Sequence, residues 1–157
     1  MRVKTLYLFG AAFLASGFGA RVDAADQEGF SIKYGVMERV GTDVDNLRET
    51  KDVTLDPDRR PGWCFLVDPA QRARPYDVYS VTYLPGMPRR LTGDFKNQDP
   101  SARGFKSATK RGSGIRPFCF DFDAGDPVGE YTVDVFVDGK LVNTLRLNVM
   151  AMPPPKK

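Results

Sequence analysis

Gly129-Glu130-Tyr131-Thr132-Val133-Asp134-Val135-Phe136-Val137-Asp138-Gly139-Lys140-Leu141-Val142, continued to Met150, reads as two strands joined by a turn. Tyr131, Val133, Val135 and Val137 recur with the period of two of a half-buried strand, and Leu141, Leu145, Leu147 and Val149 share a parity in the second run. Asp138-Gly139 has the composition of a two-residue type I′ turn. Parity argues for a longer connection. A two-residue loop would pair Val133 with Thr144 and Val135 with Val142, sending the leucines to the face opposite the valines. A three-residue loop, Val137-Asp138-Gly139, pairs Val135 with Leu141 and Tyr131 with Leu145, with Gly139 in the left-handed position of a bulge turn. The sequence therefore predicts the three-residue loop, with Phe136 and Val142 pointing outward.

The same alternation recurs upstream. Phe30, Ile32, Tyr34 and Val36 form one run, followed by a short stretch at Val53 to Leu55, then Trp63 to Val67, Pro75 to Leu84, and Phe118 to Phe122. Turn signals separate them: a polar stretch over 41–46, then Asp56-Pro57-Asp58-Arg59-Arg60-Pro61-Gly62 and Pro85-Gly86-Met87-Pro88. Residues 89–116 are mostly polar and basic, with short strand pieces expected near Leu91 and Phe105. No apolar stripe of helical period follows residue 25. About seven strands with turns at short intervals in about 130 residues is the pattern of an all-β sandwich or barrel.

The hairpin of residues 129–142 looks like the closing strands of immunoglobulin-like bacterial domains, in which a Gly-x-Tyr enters the penultimate strand and a polar-Gly turn leads into the last. Residues 29–150 resemble a family of exported bacterial immunoglobulin-like β-sandwich proteins of unknown function. The resemblance implies an immunoglobulin-like antiparallel β-sandwich of about seven strands and carries over no catalytic or binding residue. Two positions depart from the antibody pattern. No Trp follows Cys64 at strand spacing, and Pro117 stands two residues before Cys119, where that pattern has a tyrosine.

Residues 1–24 read as a secretory signal peptide. Arg2 and Lys4 open it, Leu6 to Ala15 is apolar, and Val22 and Ala24 precede the expected cleavage site. A helix of about ten residues rises about 15 Å, half of a roughly 30 Å hydrocarbon core, so the run is too short for a stable span. The expected layout is a signal peptide over 1–24, a β-sandwich over 25–150 and a disordered Pro/Lys tail over 151–157, in a secreted or periplasmic protein with no transmembrane segment in the mature chain. Export predicts a disulfide between Cys64 and Cys119, the alternative being two free thiols that lack any activating imidazole. Closing that loop of about 55 residues stabilises by about 4 kcal/mol in the chain-entropy model. Trp63, Phe65 and Val67 share one face, as do Phe118, Phe120 and Phe122. With the aromatic faces buried, both cysteines fall on the less buried side, as a cross-strand bridge outside the core.

The chain has no His, which removes Ser-His-Asp and Cys-His nucleophiles and His-ligated zinc. No cofactor is expected. Asp121, Asp123 and Asp126 are weak metal candidates, because their spacing does not fit an EF-hand, and Asp43 and Asp45 weaker still. The full chain carries 23 Lys+Arg against 20 Asp+Glu, and beyond residue 24 the balance is 20 to 19. That near-neutral chain is divided. Residues 72–116 hold ten Lys/Arg against three Asp, whereas residues 117–139 hold six acids and no base. The candidate anion-binding residues are Arg89, Arg90, Lys96, Arg103, Lys106, Lys110 and Arg111, with Phe95 and Phe105 interleaved. No motif for sequence-specific nucleic-acid binding accompanies them. The composition thus points to an exported, non-enzymatic module that binds an unknown protein or anionic ligand. The alternatives are an anionic-polymer or lipid head-group binder acting through residues 86–116 and a small carboxylate-dependent hydrolase.

Overall fold

Half-buried alternation needs a second layer to bury against, and the chain supplies it by forming two sheets. The computed structural model describes residues 29–40, 43–56, 62–71, 73–123 and 125–153. The expected signal peptide, the turn body 57–61 and the last four residues of the tail lie outside them. The described strands are β1 (Phe30–Val40), β2 (Asp43–Arg48), β3 (Asp52–Leu55), β4 (Gly62–Pro69), β5 (Tyr76–Tyr83), β6 (Phe105–Lys106), β7 (Lys110–Gly112), β8 (Arg116–Asp121), β9 (Gly129–Val137) and β10 (Lys140–Ala151). A single 3₁₀ turn, Gly93–Phe95, lies between β5 and β6. All seven expected strands are present. β6 is the short strand piece expected near Phe105, and the additional strands are β2 and β7, which lack apolar alternation and exist by pairing with β1 and β5. No strand forms at Leu91, and β10 runs into the first residue of the expected tail.

One sheet has the order β2-β1-β4-β8 and the other β3-β10-β9-β5-β6, with β7 also on β5. Pairing is antiparallel except between β3 and β10. In chain order β1, β4 and β8 take the places of strands A, B and E of an immunoglobulin sandwich, and β5, β9 and β10 those of C, F and G. The architecture is an all-β, immunoglobulin-like sandwich. Where strand D would flank E, the described chain has no strand. Residues 84–115 instead return to β5 as β6 and β7, which leaves β8 last in its sheet.

The core lies between the sheets. Trp63, Phe65 and Val67 of β4 and Phe118 of β8 face Tyr76 and Val78 of β5, Tyr131, Val133, Val135 and Val137 of β9, and Leu145, Leu147 and Val149 of β10. Phe65 stacks on Phe118 at 4.9 Å between centroids, and the Trp63 indole N–H donates to the Thr50 carbonyl at 3.2 Å. Aromatic pairs of this kind add about 0.5–1.5 kcal/mol to their area burial.

Two sequence expectations are corrected. The hairpin loop is the two-residue turn Asp138-Gly139, with φ of 48° and 79°, both left-handed as a type I′ turn requires. Val137 pairs with Lys140, Phe136 with Leu141 and Val135 with Asn143, so Val142 is the extra residue of a β-bulge. That bulge, which unbroken parity cannot foresee, brings Leu145 opposite Val133 on the core face. Phe136 does point outward, stacked on Tyr79, whereas Val142 packs against the core and Leu141 is 45% exposed. The second correction concerns the disulfide. Cys64 and Cys119 are bonded directly across β4 and β8, and Cys119 is exposed as expected. Cys64, however, is fully buried. Its other neighbour is Gly35, where a side chain would strike the backbone of Arg48 and Glu49, so the outer side of β4 is roofed by chain at this point rather than open to water.

The missing antibody tyrosine is also accounted for. Tyr131 donates its hydroxyl to the Pro127 carbonyl at 2.8 Å at the entry of β9, the tyrosine-corner contact of strand F. The second cysteine lies on the E-like strand β8, so the position two residues before it is not the one that calls for tyrosine.

Candidate functional site

The alternation of β5 places Tyr76, Val78, Ser80 and Thr82 on the inner face and Asp77, Tyr79, Val81 and Tyr83 outside. Halfway along, the inner face turns from apolar to hydroxylic. Ser80 is 0% exposed and Thr82 2%, and neither side-chain oxygen has a hydrogen-bond partner among the described residues. A buried hydroxyl left unpaired costs about 1–3 kcal/mol. Both hydroxyls line a cleft of about 380 Å³, within the roughly 300–1,000 Å³ typical of ligand sites.

The cleft lies where strand D is missing. Its floor is the inner face of the second sheet (Ser80, Thr82, Ser107, Val133 and Leu147), one wall is β8 with Phe118, Phe120 and the following Phe122, and the other is the segment from Pro88 to Phe95. Phe95 stands 6.4 Å from Phe120 and 5.8 Å from Phe105, centroid to centroid. Side chains fasten this wall. Gln98 donates to the Lys106 carbonyl at 2.6 Å and accepts from the Lys106 N–H at 2.9 Å, an amide standing in for a strand, and the Asp94 carboxylate accepts from the Ala108 N–H at 3.1 Å. Ser107 is satisfied, accepting from the Ser80 N–H at 2.9 Å and donating to the Ala108 carbonyl at 3.2 Å.

The lining is charged with both signs: Arg90 and Lys110 against Asp94, Asp121, Asp123 and Asp126. The Lys110 ammonium lies 4.6 Å over the Phe118 ring. Asp123 and Asp126 shape the turn that enters β9. The Asp126 carboxylate accepts from the Asp123 N–H at 2.8 Å, and Asp123 accepts from the Gly125 N–H at 2.9 Å. Burial raises the Asp126 pKa above the ordinary carboxylate value, the Asp123 N–H opposes this, and the Asp123 charge adds to it. Burial, followed by the Asp126 charge, holds the Tyr131 phenol well above its usual range.

The seven candidate basic residues are distributed rather than gathered. Arg90 and Lys110 meet at the cleft. Arg89 passes over Gly125, Lys96 ends the 3₁₀ turn, and Arg103 borders a shallow hollow with Met87 and Phe105. Lys106 sits 4.0 Å over the Tyr79 ring on the outer face, and Arg111 pairs with Asp77 at 3.3 Å. Among the described residues no group of three His, Cys, Asp or Glu side chains is placed to hold a metal. Asp121, Asp123 and Asp126 therefore do not come together as ligands, and the side chains of Asp43 and Asp45 lie outside those described. Sequence reading missed Ser80 and Thr82, whose only signal is that they continue the parity of Tyr76 and Val78.

Comparison with known proteins agrees with this architecture. An immunoglobulin-like protein from Pseudomonas aeruginosa superposes with a TM-score of 0.54 at 17% identity, over 76% of this chain and 91% of that one. The Pseudomonas fluorescens alkylpurine DNA glycosylase AlkC, bound to DNA containing an abasic site analog, matches with a TM-score of 0.35 at 11% identity, over 76% of this chain and 30% of that one. No curated protein matches the sequence. Among the described residues no helix is long and apolar enough to cross a membrane, and the disulfide and the immunoglobulin-like fold fit an extracytoplasmic setting. The model of the PM0630 beta sandwich domain matches residues 32–150, most of the chain and all of both sheets' cores, and the chain belongs to that family.

Proposed function

We propose that the protein is an exported, non-enzymatic binding module that takes its ligand or partner at the cleft beside β8. One observation carries this reading: two buried hydroxyls without partners among the described residues, those of Ser80 and Thr82, lie in the lining of a cleft of ligand size. The carboxylates nearby favour binding over hydrolysis. Asp94, Asp123 and Asp126 accept backbone N–H groups of their own segment and so serve as loop fasteners. The test is crosslinking from the cleft. A photoreactive residue at Arg90 should capture a partner in the native compartment that the same probe at Lys33, an exposed residue of β1 outside the cleft lining, does not; equal capture at both positions would refute the cleft as the site.

A second reading, contact with an anionic polymer or lipid head group through residues 86–116, draws on Arg89, Arg90, Lys96 and Arg103. All four are exposed and make no ion pair among the described residues. Retention on heparin that falls with salt and disappears when Arg89, Arg90, Lys96 and Arg103 become Ser would support it; retention indifferent to those substitutions would refute it.

A further inference from the structure

We propose that the cleft is built for a neutral polyhydroxyl ligand, a sugar unit either free or at the end of a glycan. The proposal rests on the cleft being the binding site. Three features of the lining select this chemistry. A hydroxyl both donates and accepts, so a ligand hydroxyl can pair with Ser80 and Thr82 in either sense. Carboxylates and phosphates only accept, and ammonium groups only donate. The charge of the lining points the same way. Arg90 and Lys110 share it with four aspartates, so an ion of either sign meets its own sign inside, while an uncharged ligand finds acceptors and donors together. The third feature is aromatic. Phe95 and Phe120 stack on one another at 6.4 Å between centroids where the two walls meet, and the part-exposed ring surface of this pair suits the polarised C–H face of a pyranose.

The arrangement orders the binding event. Ser80 and Thr82 lie at the buried base, whereas Arg90 and Asp94 are exposed. A ligand therefore passes charged donors and acceptors before it reaches the aromatic walls and the two hydroxyls.

Amide chemical-shift titration of the full chain tests this, with maltose, cellobiose and lactose as neutral probes. Glucuronic acid, glucosamine and a Phe-containing tripeptide serve as the other arms. A neutral sugar should move the amides of Ser80, Thr82, Ser107 and Phe120, and the Ser80→Ala/Thr82→Val pair should weaken that binding about tenfold or more while the thermal melt shows the fold retained. Free monosaccharide competing with an immobilised glycan distinguishes the two sources. Sugar binding unchanged in the double variant overturns the proposal. If only the charged sugars or the peptide move these amides, the sugar chemistry falls while the cleft stands as the site. If no probe moves them and the crosslinked partner maps elsewhere, both fall.

Discussion

The inner face of β5 is finished in opposite ways at its two ends. At one end Tyr76 is buried, its hydroxyl donating to the Gly114 carbonyl at 2.8 Å with the Val67 carbonyl at 3.3 Å, and Phe30 packs edge-on against its ring at 5.3 Å. At the other, Ser80 and Thr82 are as deeply buried but unpaired, beside open space. The contrast teaches that the sandwich is sealed where the two sheets meet as a core and left incomplete where strand D is absent. The polar end is not a packing error distributed at random, because both hydroxyls fall on the same strand, on the same face, at the same gap.

The largest expected effect tests the wall of the open end. Replacing Cys64 and Cys119 by Ala should cost about 4 kcal/mol in urea unfolding, the loop-entropy value, since the bond ties β8 to β4. A cost near zero would mean that β8 is held by its ladder alone. Next, Tyr76→Phe should lose about 1–2 kcal/mol at the sealed end, measured the same way, because its carbonyl partners lose a buried donor. Thr82→Val should do the reverse and stabilise by about 1 kcal/mol, since it removes a hydroxyl with nothing to bond. A loss of that size instead would erase the comparison. The smallest effect concerns pH. The folded Asp126 carboxyl binds its proton more tightly than the unfolded one, so stability falls as pH rises from the ordinary aspartate value through the raised folded value. Asp126→Asn should therefore gain on the parent across that window, hold a constant advantage above it and show none below. Urea midpoints at acidic and neutral pH check this.

Most of the fold was legible because its core strands alternate cleanly. The parity of Trp63, Phe65 and Val67 against Phe118 and Phe122 put the right side chains inside, and opposed the two cysteines correctly across β4 and β8. What escaped has physical causes. β2 and β7 are strands by partnership rather than by pattern. The hairpin turn was misread because parity counting assumes an unbroken ladder, and a bulge spends one residue. The cleft was hidden for a related reason. On β5 the parity of Tyr79, Val81 and Tyr83 looks more apolar than that of Ser80 and Thr82, yet it faces out, where Tyr79 is covered by Phe136 and Lys106. The basic run, conspicuous in the sequence, is divided by the fold between two faces and the cleft mouth.

The bulge at Val142 gives the hairpin a removable letter. Because Leu141 already pairs with Phe136 and Asn143 with Val135, a chain from which Val142 is deleted keeps every pair from Asn143–Val135 to Val149–Gly129 in place. Such a deletion would trade a valine that packs against the core for Asn143 alone opposite Val135. The last strand can therefore change length by one residue across descendants of this chain without a frameshift in its pairing, a freedom that a regular two-residue hairpin does not have.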